Sequence, residues 1–356
     1  MNARVFDSDG HVYEADADLL DFLDPPFRGR DELLRHPFYP TGDGWHRTSL
    51  GMRSPHQTWV AGEITAQKWL DFLDHIGIEG TVLYPTAGLR MGLVMNSEWA
   101  VALAKGYNNW FHEKFMKVSP RLQGVAVLPL QSPPDAAEEL RRAVTQLGMV
   151  GALLPGGGGP RRLLGDPFFY PIYEAAEELD VMITVHTGAP HKGLALDLDL
   201  FDRLTGMRCL LHPVGQMTQL THLMFSGVFD RFPRLRMAFP EAGSAFVLGL
   251  YERMQREYEH WGKLTPELKR EPREHLRSGR LFFEAELDDE LLPHTVQVIG
   301  DRSVMFASDF PHFARVEHIA KSLENFQDRN DLSDEIKGRI LFENARRAYG
   351  LDQPKP

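Results

Sequence analysis

Val181-Met182-Ile183-Thr184-Val185-His186 is a short apolar, β-branched run that stops on a potential metal ligand, and the design recurs at both ends of the chain. Val304-Met305-Phe306-Ala307-Ser308-Asp309 closes on an aspartate, and Arg4-Val5-Phe6 leads into Asp7-Ser8-Asp9-Gly10-His11. Side chains so distant in sequence can converge if their strands are parallel staves of one barrel, with the C-terminal ends at one rim. Working outward, eight such runs occur, near residues 4–9, 78–84, 123–129, 148–154, 181–186, 235–240, 280–285 and 303–308. Amphipathic stretches such as 134–147 and 170–179 separate most of them. Strand–helix alternation favours a parallel α/β sheet, and a count of eight favours closure into a single (β/α)8 TIM barrel. A doubly wound open sheet is the rival, but no Gly-x-Gly-x-x-Gly turn follows the first run.

Two segments read as insertions over the C-terminal rim, 25–66 and 187–223; the first is rich in Pro, Gly, His and Trp, and the second holds His191, His212 and His222, with His191, His212 and the later His312 read as loop histidines. Gly156 to Gly159, between Pro155 and Pro160, reads as an active-site loop. With no repeat and no interdomain linker, one domain over 1–356 is expected. A net charge of −11 disfavours a nucleic-acid surface. No apolar run of about 18 residues could span a bilayer. The N-terminus lacks a signal-peptide core, so the cytoplasm is the expected location. Cys209 is the only cysteine, which leaves nitrogen and oxygen as metal ligands.

Asp9 and His11 are two residues apart, so on a strand they share a side. With His186 and Asp309 they form a candidate site for one divalent ion. Taken singly, each has a plainer reading: a strand-end cap, a hydrogen-bonded polar tip or, for Asp309, a helix N-cap. Four such residues at strands one, five and eight are harder to explain separately. Glu241, after the sixth run, could orient water or move a proton, or be a carboxylate favoured by a helix N-terminus. Glu284 is a weaker candidate. His212 and His312 are candidate stabilisers of developing charge. Arg53, His56, Trp59 and His191 are candidate substrate contacts, with packing of a solvated loop as the alternative.

These residues resemble the second amidohydrolase family, the metal-dependent TIM-barrel hydrolases and decarboxylases related to aminocarboxymuconate semialdehyde decarboxylase. The marks run nearly end to end: Asp7 to Glu14, Asp166-Pro167-Phe168-Phe169-Tyr170-Pro171-Ile172-Tyr173, Gly227-Val228-Phe229-Asp230-Arg231-Phe232-Pro233-Arg234-Leu235, Ser308-Asp309-Phe310-Pro311-His312 and Glu343-Asn344-Ala345-Arg346-Arg347. The resemblance implies one metal on Asp9, His11, His186 and Asp309, and admits a homodimer. Two positions depart from the pattern. Asp9 stands where His is frequent, which makes the site harder and more anionic. Glu241 stands where many members carry a His that acts in decarboxylases.

That second departure turns the expectation to hydrolysis. The chain is expected to use a metal-activated water on an amide, lactone or related bond of a small cyclic or aromatic carboxyl derivative. Zinc is the expected ion, with manganese and iron as alternatives. In this reading Asp309 or Glu241 protonates the leaving group, and His212 or His312 stabilises the oxyanion. The alternative is a non-oxidative, metal-dependent decarboxylase of an aromatic or related acid, with Asp309 as proton carrier. A cyclising condensation and a non-catalytic barrel stand behind these.

Overall fold

The computed structural model describes residues 3–40, 63–157, 162–187, 201–312 and 316–352. Eight parallel strands lie in chain order: β1 (Asp7–Val12), β2 (Thr81–Pro85), β3 (Leu122–Val127), β4 (Gly151–Pro155), β5 (Met182–His186), β6 (Arg236–Phe239), β7 (Leu281–Ala285) and β8 (Val304–Phe306). Each is followed by a helix, from α1 (Ala66–Ile76), α2 (Ser97–Phe111), α3 (Pro133–Leu147) and α4 (Tyr170–Leu179) to α5 (Leu204–Phe225), α6 (Phe246–Trp261), α7 (Leu292–Ile299) and α8 (Val316–Asp328). The (β/α)8 barrel expected from the eight apolar runs is therefore the fold. The strands are buried almost throughout, which is why they read as continuous apolar runs rather than alternating ones. Among the described residues no helix is long and apolar enough to cross a membrane.

Helix ends follow local chemistry. Thr65 caps α1 by accepting from Lys68 N–H, and Asn96 caps α2 by accepting from Trp99 N–H. Gly77 and Gly148 take the left-handed conformation that stops α1 and α3.

Ladder pairing runs from β1 to β8, and the seam between β8 and β1 is closed by individual bonds. Asp309 N–H donates to the Asp9 carbonyl at 3.0 Å, and His11 N–H to the Phe310 carbonyl at 2.7 Å. The Ser8 hydroxyl donates to the Phe306 carbonyl at 2.8 Å. Behind the seam Phe310 stacks on Phe72 of α1 with ring centroids 3.9 Å apart. Trp69 meets both rings edge-on and donates its indole N–H to the His11 carbonyl at 3.0 Å. A Cβ at Gly10 would lie 2.3 Å from the Trp69 ring, so glycine is what lets the indole approach β1.

Three expectations need correction. β1 spans Asp7–Val12 rather than 4–9, so Asp9 and His11 lie inside the strand and not past its end. A strand this polar can be buried because Asp7 is hydrogen-bonded on every side, by Thr81, Ser308 and the Asp9 N–H. β8 stops at Phe306, three residues short of Asp309. Much of 187–223, expected as a loop, is the helix α5, which carries His212 and His222 and contains Pro213. Tertiary bonds hold it there. Gln216 donates to the Val185 and Pro240 carbonyls at 2.7 and 2.8 Å, and Gln219 to the Gly156 carbonyl at 3.0 Å. Such contacts override a local helix breaker. Of the segment 25–66, the described residues hold a short 3-10 helix, Asp31–Arg35.

Candidate metal centre

β1 and β5 face each other across the barrel and present Asp9, His11 and His186, all fully buried or nearly so. Each imidazole is oriented from behind. His11 Nδ1–H donates to the Pro85 carbonyl at 3.0 Å, and His186 Nδ1–H to the Thr187 carbonyl at 2.8 Å. A carbonyl only accepts, so both rings carry a proton on Nδ1 and turn Nε2 inward, the atom each could offer a cation. Those two Nε2 atoms and both Asp9 oxygens are buried with no hydrogen-bond partner. They lie close without hydrogen-bond geometry: His186 Nε2 is 3.2 Å and His11 Nε2 3.4 Å from Asp9 oxygens. Ligand atoms about 2.1 Å from one ion stand about 3.0–3.4 Å apart. The orphaned donors therefore fit a divalent cation, since leaving them bare in a dry interior is costly.

Asp309 reaches this group from the far side of the seam, with Oδ1 3.6 Å from His11 Nε2. His11, Glu241, Asp309 and His312 also form a grouping of their own, with ligand atoms within 4.8 Å of one another. The four expected ligands thus come together with Asp309 linked through His11. His312 lies flat against His11, ring centroids 3.9 Å apart. Its Nδ1–H donates to Asp309 at 2.7 Å, and its Nε2 meets the Thr86 hydroxyl at 3.0 Å. The Thr86 N–H donates at 3.0 Å to Glu14, a buried carboxylate that also accepts from Gly88 N–H at 2.6 Å.

Glu241, two residues past β6, points among three histidines. Its carboxylate accepts from the Thr187 hydroxyl, lies 3.5 Å from both His186 Nδ1 and His212 Nδ1, and stands 3.8 Å from His312 Nδ1. The Thr187 hydroxyl also meets His212 Nδ1 at 2.6 Å. Glu241 is no helix N-terminal carboxylate, because α6 starts five residues later. Nor does Asp309 cap a helix, since α8 begins at Val316.

The electrostatics divide the site. Burial pushes the Asp9 carboxyl up to about 6, against the pull of His186. Burial alone would depress His186, but the Asp9 and Glu241 carboxylates outweigh it and lift the ring to about 9. Burial, aided by the cationic neighbours His312 and His186, holds His11 well below its usual value. Glu241 is kept well below the usual carboxylate range because its histidine partners outweigh the effect of burial. Burial raises Asp309, with His312 opposing. For His312, Asp309 and Glu241 outweigh burial and raise the ring well above the ordinary histidine value. One depressed carboxylate, one raised carboxyl and a cationic imidazole within a few ångströms make an acid–base site.

The substrate contacts expected at Arg53, His56, Trp59 and His191 fall outside the described residues. Thr187, Thr86 and Glu14 escaped the reading of the sequence. Their one available signal was position, next to a ligand or at a strand end on the rim.

Residues 57–351 match the model of a family described as amidohydrolase. The chain is 30% identical over 300 residues to the gamma-resorcylate decarboxylase of Rhodococcus jostii, covering 80% of this chain and 87% of that one. It is 28% identical over 295 residues to the gamma-resorcylate decarboxylase of a Polaromonas species, covering 79% and 86%. Among solved structures it resembles a Polaromonas dihydroxybenzoic acid decarboxylase with bound manganese and the inhibitor 2-nitroresorcinol. That likeness has a TM-score of 0.71 at 22% identity and covers 99% of this chain and 98% of the other. It is a likeness of fold.

These findings overturn the expected hydrolase, because the two curated relatives named above are decarboxylases. The departure at Glu241 carried too much weight in that expectation. In the folded protein its carboxylate lies beside His212 and His312, so imidazoles still line this part of the rim. The donor set of Asp9, His11 and His186 fits a divalent ion, and nothing singles out zinc; the similar structure holds manganese.

Proposed function

The chain belongs to the amidohydrolase family, and from that premise we propose that it is a metal-dependent decarboxylase of an aromatic acid bearing a hydroxyl beside its carboxylate. The observation that carries this reading is the place of Asp309, 3.6 Å from His11 Nε2 on one side and 2.7 Å from His312 Nδ1 on the other. Asp9, His11, His186 and Asp309 would hold the divalent ion. When bound, it would supply a positive charge for the carboxylate and neighbouring phenol oxygen of the substrate.

The residues then divide the work. Asp309, whose carboxyl is raised by burial, delivers its proton to the ring carbon that bears the carboxylate. The bond from that carbon to the carboxylate breaks, its electron pair restores the aromatic ring, and CO2 departs. Asp309 is left as an anion beside the cationic His312, which stabilises it, and solvent returns the proton. Glu241 holds His212 and His312 facing the substrate through charge and the Thr187 hydroxyl. Substrate carboxylate and one proton in, arene and CO2 out: the reaction balances without an oxidant or added water.

The test is to load the protein with manganese and supply 2,6-dihydroxybenzoate and related ortho-hydroxybenzoates in D2O. The expected result is CO2 release with one deuterium at the vacated ring carbon. A protein holding about one equivalent of metal that releases no CO2 from any of these acids would overturn the proposal.

A further inference from the structure

We propose that Asp7 is a positioning residue that keeps the two halves of the metal centre in register across the β8–β1 seam. This rests on the reading of Asp9, His11, His186 and Asp309 as the metal ligands. Asp7 opens β1 and is fully buried. Oδ1 accepts from Ser308 N–H at 2.8 Å and from Asp9 N–H at 3.4 Å. Oδ2 accepts from the Ser308 hydroxyl at 2.9 Å and the Thr81 hydroxyl at 2.7 Å. Both oxygens are thus taken, and Asp7 is in neither group of potential metal ligands. It serves the site through the backbone.

Each partner lies next to something the site needs. Asp9 is a ligand, and Ser308 precedes Asp309, whose φ of 49° is left-handed. The Ser308 hydroxyl that donates to Asp7 also accepts from Phe310 N–H at 3.2 Å, so one serine is tied to the strand behind and to the turn ahead. Thr81 belongs to β2 and braces the carboxylate from the other side. The seam has no ladder, and among the described residues only two main-chain bonds, from Asp309 and His11, join β1 to the segment after β8 and fix their offset. Asp7 reinforces that offset with two side-chain bonds to a single residue, beside the main-chain bonds of Asp309 and His11. A carboxylate offers only acceptors, as four donors require. An amide in its place would turn an NH2 toward one pair of donors.

The experiment measures manganese affinity by competition with a chromophoric chelator, and the melting temperature of the metal-free protein, for wild type, Asp7→Asn, Ser308→Ala and Ser8→Ala. Ser8→Ala removes a hydroxyl bond at the same seam that does not involve Asp7. The expected result is a fall in affinity of about ten- to a hundredfold for Asp7→Asn and Ser308→Ala. Ser8→Ala should keep wild-type affinity even where its melting temperature falls as far. If Asp7→Asn fails to fold, Ser308→Ala decides. Wild-type affinity in the Asp7 and Ser308 variants, or an equal loss in Ser8→Ala, overturns the inference alone. A wild type that takes up no manganese overturns the metal reading itself, and this inference with it.

Discussion

Glu241 and Asp309 both sit with positive φ, 58° and 49°. That conformation costs an ordinary L-residue about 1–2 kcal/mol, and strained positions gather at functional sites because the surroundings must hold them. Here the holding bonds are visible: Glu241 N–H donates to the Glu284 carboxylate, and Asp309 N–H to the Asp9 carbonyl. Glu284 is itself buried, and burial, with Asp9 and Glu286, pushes its carboxyl well above the usual range. The identity of both residues was legible in the chain, as polar residues just beyond apolar runs. Their backbone conformation was not, because each is imposed by a partner at least 43 residues away. Asp309→Asn should lower the decarboxylation rate by about 10²–10⁴-fold, the usual worth of a positioned acid. Most of the metal should remain, since Asp9, His11 and His186 are untouched. Metal content and CO2 release measured on one preparation decide this, and near wild-type turnover would remove Asp309 as the proton donor.

At the scale of elements, the strands were readable because both faces are buried and their sequences run apolar without interruption. Their ends were not, since β1 takes its register from buried carboxylates that look like loop residues. α5 went unread for the opposite reason: its Pro213 and scattered polar residues suggest a loop, and tertiary contacts override them, with Leu220, Leu223 and Met224 buried in the core and Gln216 and Gln219 bonded to carbonyls in β5 and just past β4 and β6. The connection before β6 offers a test of how such packing contributes. Asp230, in the short helix Val228–Arg231, accepts from Lys269 N–H at 2.7 Å, Arg270 Nε at 2.8 Å and His275 Nε2 at 3.2 Å. Burial opposes its ionisation, but Arg270 and the backbone donors outweigh it and hold the carboxyl at about 2. Asp230→Ala should cost about 1–3 kcal/mol, chiefly by stranding the buried His275 ring, as read from urea unfolding at pH 7. For a depressed carboxyl the stabilisation is present above the unfolded value near 4 and lost as pH falls through about 2. The gap between wild type and variant should therefore close in acid, and a constant gap would assign the effect to packing.

The whole molecule couples cation, proton and barrel closure. The metal needs the bare Nε2 of His186, yet Asp9 and Glu241 raise that ring to about 9 in the metal-free protein, and Asp9 itself stands at about 6. Protons thus compete with the cation below pH 9, and affinity should rise with pH. Between pH 6 and pH 8 a chelator-competition titration should show at least about a tenfold gain per unit, one proton released per site. An affinity flat across that range would mean His186 is neutral in the metal-free protein or is not a ligand.

The sequence by itself determined the class of fold and the chemical type of the centre. Burial on both faces writes each strand locally, and nitrogen and oxygen ligands must be particular residue types. The tertiary structure alone decided which residues meet: that Asp309 joins the others through His11, that Thr187 and Thr86 orient the histidines, and that Asp7 ties β1 to the turn beyond β8. These are contacts between positions as much as 301 residues apart. No local pattern encodes such a contact, because its energy exists only once the barrel has closed.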